Sequence, residues 1–166
     1  MSEPLLRVED LHTSFFTEAG EVRAVNGVSF TLNSGEILGV VGEFGSGKSV
    51  TAYSIMGILS GGGRIIGGAI YYKGQDITLW SEKRMRRFRG KCCSIVFQDP
   101  MTSLNPVLTV GEQLLESITL HTEKRGKEAR GRAVELLEMV GINDPSRRLS
   151  QYPDRKSTRL NSSHTS

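Results

Sequence analysis

The chain has 166 residues, 37% hydrophobic and 23% charged, a balance that suits one globular domain and excludes a disordered or fibrous chain. Its formal net charge of +3 is unevenly spread: Asp154 to Ser166 holds Arg155, Lys156 and Arg159 against Asp154 alone, so the excess is a tail effect and no nucleic-acid footprint. No apolar run is long enough to span a bilayer and Met1-Ser2-Glu3-Pro4 lacks a signal core, which predicts a cytosolic protein.

Residues 5–12 (LLRVEDLH) and 22–32 (VRAVNGVSFTL) carry strand-like runs on either side of the turn-prone Glu18-Ala19-Gly20-Glu21. Val28, Phe30 and Leu32 alternate with Ser29 and Thr31, the pattern of a strand with one buried face. After a turn at Asn33-Ser34-Gly35-Glu36, Ile37 to Val41 is nearly all apolar, as in a strand buried on both faces of a parallel sheet.

Gly42-Glu43-Phe44-Gly45-Ser46-Gly47-Lys48-Ser49 follows, a full match to the phosphate-loop pattern G-x-x-x-x-G-K-[ST]. Its glycines let the backbone wrap tightly and turn successive N–H groups inward as a nest for phosphate oxygens. The helix that starts near Lys48 points its positive end at the same anion. Lys48 supplies a point charge toward the β- and γ-phosphates, and the Ser49 hydroxyl a ligand for magnesium. The predicted nucleotide-binding set is therefore Gly42, Gly45, Ser46, Gly47, Lys48, Ser49 and Val50. Kinases, GTPases, helicases and transporter ATPases all use such a loop, which by itself selects none of them.

Val50 to Leu59 reads as a helix ended by Gly61-Gly62-Gly63, with further strands around 68–72 and 94–97. Between them Ser81 to Gly90 is a short basic helix, whose Lys83-to-Lys91 run reads as a solvated face. The adjacent Cys92 and Cys93 have no metal-type spacing and read as two small buried, reduced residues. His12 and His121 lack partners at ligand spacing, and Tyr71, Tyr72 and Trp80 are too scattered for a stacking platform. Thr109 with Glu112 has capping-box form ahead of Leu114, Leu115 and Ile118. A second helix over about 127–140 carries Ala133, Leu136, Leu137 and Val140 on one face, and Gly141 closes it. Asp154 to Ser166 has a single apolar residue, Leu160, and is expected to be disordered.

Ile95-Val96-Phe97-Gln98-Asp99-Pro100 lies at the distance from the phosphate loop at which ABC ATPases carry their glutamine-bearing loop. With Met101-Thr102-Ser103-Leu104-Asn105-Pro106, GEVRAVNGVSFTLNSGEILGVVGE upstream and RAVELLEMVGI downstream, residues 5–153 resemble the ATP-binding subunits of oligopeptide, dipeptide and related importers. The resemblance implies an α/β fold, a P-loop NTPase nucleotide-binding domain of the ABC type. Its N-terminal β region, part of its parallel-sheet core and the start of its helical subdomain lie in residues 1–153. It implies ATP and Mg²⁺ as cofactors, and Gln98 in contact with the metal or the attacking water, a role an uncharged amide suits. Phe15 or Phe16 would stack on adenine, Phe15 being better placed by the register from Asp10-Leu11-His12. The implied partners are transmembrane permease subunits at the cytoplasmic face of the membrane, a second ATP-binding subunit and, indirectly, a solute-binding protein.

Two departures from the family stand out. Phe44 occupies a loop position where relatives usually have a small polar residue, and its side chain is expected to point away from phosphate. After Tyr152-Pro153, relatives continue into a Leu-Ser-Gly-Gly signature, an Asp-Glu strand and a switch histidine, whereas DRKSTRLNSSHTS follows here and looks like translated sequencing adapter. Residues 154–166 are thus expected to be a non-native tail, and the chain to bind ATP without turning it over. A non-catalytic nucleotide-binding fragment with no transport role is the alternative; a small kinase is a third reading, which the FQDPMTSLNP run opposes.

Overall fold

The computed structural model describes residues 3–97 and 103–153. The chain divides into two units, residues 1–94 and 95–166. The predicted tail and Gln98 lie outside the described residues.

In the first unit, β1 (Leu6–Thr17) and β2 (Gly20–Leu32) form an antiparallel hairpin, and β3 (Gly63–Tyr72) and β4 (Gln75–Asp76) extend the sheet in the order β2-β1-β3-β4. The central strand β1 buries Val8 and Leu11, three apart, where strict alternation would bury every second residue. A bulge reconciles the two: the pairing with β2 shifts between Val8 and Leu11, and Asp10 takes a positive φ of 44° while its N–H bonds the Ser29 hydroxyl at 2.8 Å. On the other side of the bulge Gly68 has φ +79°, and a Cβ there would lie 2.2 Å from the Asp10 carbonyl oxygen. Only glycine lets β3 approach this closely.

Helix α1 (Lys48–Met56) starts at the predicted place but ends at Gly57, in the left-handed region, before the glycine triplet expected to stop it. Helix α2 (Glu82–Lys91) presses Met85 and Phe88 into a core with Val8, Leu11, Val25, Ile70 and Ile77. Two of the scattered aromatics meet there: the rings of Tyr72 and Trp80 lie 5.0 and 5.9 Å from that of Phe88, edge-on. Cys93 is half-buried and Cys92 exposed, so the expectation that both are buried fails for Cys92; the two thiols are free. Burial pushes the Cys93 thiol above its ordinary value, against a smaller opposing pull from the Ser94 backbone and with a lesser push from Cys92.

Two predicted strands are not strands. Residues 37–41 and 94–97 take no strand conformation, and Ile37 and Val41 are each 96% exposed. Their composition suits strands inside a sheet covered on both faces, and the described residues form no such sheet around 37–41.

In the second unit, α3 (Val110–His121) opens with the predicted capping box, α4 (Gly126–Met139) runs beside it, and α5 (Pro145–Arg148) follows. The Val110 and Gly111 N–H groups bond the Gln151 and Leu149 carbonyls at 2.9 and 2.8 Å, which satisfies donors that a helix start leaves free. Ile118, Ala129, Ala133 and Leu149 make the core, with Leu136 and Leu137 against it. Val140, predicted on this face, is exposed, because it is the C-cap with non-helical dihedrals.

The Glu112 carboxylate accepts hydrogen bonds from the Thr109 N–H and hydroxyl at 2.7 and 2.8 Å, which hold it below its ordinary value of 4.5. A carboxylate so depressed stabilises the fold fully above that value and loses its contribution as pH falls through the lower folded value. Acidification through this window is therefore expected to reduce the helical signal of the second unit in circular dichroism, and Glu112→Gln to flatten that pH response. An identical acid transition in the variant would discount the cap.

Candidate functional site: a seated phosphate loop

The loop between residues 42 and 47 turns at 43–46, where the Ser46 N–H bonds the Glu43 carbonyl at 3.2 Å. Gly45 and Gly47 have φ of +83° and +89°, the left-handed region that aims consecutive N–H groups to one side. Gly47 is the N-cap of α1 and has no side-chain cap, so the donors of the first turn stay available to an anion. Next to Gly45 the space is open: nothing lies within 4 Å of the position a Cβ would take.

Lys48 curls back over the loop. Its ammonium donates to the Gly42 and Glu43 carbonyls at 2.7 and 2.6 Å and to the Ser46 hydroxyl at 3.2 Å. A Cβ on Gly42 would lie 2.6 Å from that same Ser46 oxygen, so the loop closes only around glycine. The Ser49 side chain is exposed and Val50 half-buried against the sheet core. Phe44 is fully exposed. A cation, a glycine nest and an uncapped helix start make a donor set suited to a polyphosphate, and an accessible serine hydroxyl suits a hard divalent metal.

Contacts distant in sequence hold the loop in place. The Cβ position of Gly47 is 2.4 Å from the Ala24 carbonyl oxygen of β2. Two turns into α1, the buried Ser54 hydroxyl donates to the Val50 carbonyl at 2.8 Å and lies 2.9 Å from the buried Thr13 hydroxyl of β1. Ser54 has one proton, so Thr13 is the donor in the second bond. The sequence carries no signal for this pair, because its members lie 41 positions apart.

Phe15 pairs with Val22 across the hairpin, two residues before Ala24, and is half-buried with its ring against Gly63 beside Leu59. Phe16 is more exposed, under the Arg64 guanidinium at 5.5 Å. Phe15 and the loop residues Gly42, Gly45, Ser46, Gly47, Lys48, Ser49 and Val50 all lie in the first unit. Among the described residues no group of His, Cys, Asp and Glu could hold a metal ion, and no helix is long and apolar enough to cross a membrane.

A phosphate loop opening a helix beside an antiparallel sheet fits an ATP-binding-cassette type of domain, and the comparisons name that family. The family described as ABC transporter matches residues 25–159, and the chain belongs to it. It is 49% identical over 152 residues to the dipeptide transport ATP-binding protein DppD of Bacillus subtilis, covering 91% of this chain and 45% of that protein. The oligopeptide transport ATP-binding protein OppD of the same organism is 49% identical over 150 residues, covering 90% and 42%. The chain thus spans less than half the length of these curated relatives. Among solved structures, a dimeric bacterial ABC transporter cassette matches with a TM-score of 0.77 at 21% identity, over 92% of this chain and 63% of that one, which supports the fold.

Proposed function

We propose that the chain is the nucleotide-binding part of a subunit that couples ATP to the import of peptides or related solutes. The observation that carries this reading is the Lys48 loop on an uncapped helix start, in a chain 49% identical to a dipeptide transport ATP-binding protein. Gly42, Gly45, Ser46, Gly47 and Val50 would line the phosphates with backbone N–H groups, Lys48 would take their charge, and Phe15 would stack on the base, contributing about 0.5–1.5 kcal/mol. Ser49 and Gln98 would hold magnesium, which when bound neutralises charge on the terminal phosphates. The chain would work at the cytoplasmic face of the membrane, docked on transmembrane permease subunits, paired with a second ATP-binding subunit and served by a solute-binding protein.

Alone, residues 1–166 would bind ATP without turning it over, because the glutamate that the resemblance assigns to orienting water is not among them. Nucleotide titration and a phosphate-release assay on the same sample test both statements. Lys48→Ala is expected to weaken ATP binding about tenfold to a hundredfold, the worth of a charge-assisted contact, with an unchanged circular dichroism spectrum. Equal affinities for ATP would remove the loop from the site, and steady phosphate release would overturn the binding-only reading.

A further inference from the structure

The basic run Lys83 to Lys91 is not uniformly solvated. Arg84 stacks over Trp80 at 3.8 Å, while Arg89 turns toward α1 and keeps only 21% of its side chain exposed. One of its nitrogens donates to the Met56 carbonyl at 3.1 Å and the Gly57 carbonyl at 3.3 Å, the oxygens at the C-terminal end of α1. Its other terminal nitrogen is paired with Glu82 on its own helix. Gly57 admits this contact: a Cβ there would lie 2.9 Å from the Met85 methyl carbon and 3.5 Å from the Arg89 nitrogen.

We propose that Arg89 is a positioning residue for the phosphate loop, acting through the whole length of α1. This rests on the nucleotide-binding reading above. Helix α2 is fastened to the sheet core by Met85 and Phe88, so Arg89 reaches out from a fixed base. Helix α1 carries the phosphate-binding end at Lys48 and the Arg89-bound end at Met56. A cation at that second end also complements the negative pole of the helix. A helix of this length is about 13 Å long, and a tilt of about 10° about its C-terminus would shift its first turn by about 2 Å. Binding groups must be held within roughly 0.5 Å of their working positions. The Thr13–Ser54 pair ties the later part of the helix to β1 and Gly47 rests on Ala24 at its start; Arg89 adds a tie from a separate helix at the C-terminal end, so that the orientation of α1 is set at both ends.

The test uses the 166-residue chain, its Arg89→Gln and Arg89→Lys variants, and two readouts. The first is affinity for Mg-ATP and for inorganic tripolyphosphate, which engages the loop without a base. The second is amide exchange at Thr51, which bonds the Gly47 carbonyl at 2.8 Å in the first turn, against Gly57 and Ile58 beside Arg89. R89Q is expected to weaken both ligands about tenfold, the loss of a charge-assisted tie, and to speed exchange at Thr51; R89K is expected to fall between. Wild-type affinities with faster exchange only at Gly57 and Ile58 would reduce Arg89 to a local cap and overturn the proposal. If the unsubstituted chain binds neither ligand, the nucleotide reading fails, and the Thr51 amide still decides whether Arg89 governs the first turn. Should R89Q not fold, R89K decides: wild-type values in both readouts overturn the tie.

Discussion

Gly68→Ala is expected to destabilise the first unit by at least about 3 kcal/mol. Two costs act together. A φ of +79° burdens any L-residue by about 1–2 kcal/mol. The new methyl would also meet the Asp10 and Glu9 carbonyl oxygens at 2.2 and 2.4 Å, and these are backbone atoms of the central strand that cannot swing aside. Relief requires β3 to lift from β1, which removes cover from Val8 and Leu11. Gly61→Ala is the control, because Gly61 shares a positive φ of 61° but has nothing within 4 Å. In urea titrations Gly61→Ala should lower the midpoint modestly and Gly68→Ala by about 1–3 M. Similar shifts for the two would mean that the bulge does not constrain β3.

Gly47→Ala should be the most damaging single methyl at the proposed nucleotide site. Its Cβ would lie 2.4 Å from the Ala24 carbonyl oxygen at a φ of +89°, so the loop would have to leave the hairpin or unwind the first turn of α1. Either movement misdirects the N–H nest and Lys48 together. ATP affinity is expected to fall about a hundredfold or more, equivalent to about 3 kcal/mol. Gly45→Ala separates strain from contact, since Gly45 has a φ of +83° and open space around it. The apo protein should therefore lose less stability from Gly45→Ala than from Gly47→Ala. Wild-type ATP affinity in Gly47→Ala would show that the seat on Ala24 plays no part in binding.

The phosphate loop was legible because its chemistry is local: eight consecutive residues hold the cation, the turns and the helix start. The hairpin and the capped helices were legible for the same reason, since alternation and caps act within a few residues. The Thr13–Ser54 pair and the Arg89 contact to α1 were not, because each is a meeting of segments tens of residues apart and neither residue type is unusual where it stands. Asp10 and Gly68 hid the bulge, which shifts the buried face of β1 partway along. Ile37 to Val41 marks the opposite limit. Its composition names the environment that it suits, and the described residues form no such environment.

The Lys48 ammonium already has three oxygen partners within the loop, two of them carbonyls. An arriving anion therefore takes part in a displacement, in which it gains a cation and leaves two carbonyl dipoles without their donor. A singly charged ion does little more than replace what the loop supplies to itself. A polyphosphate brings several charges to the same ammonium and engages the backbone donors as well, so its gain outweighs the loss. The folded-back lysine should thereby favour multiply charged anions, and the loop should discriminate against chloride before any part of a nucleoside is recognised.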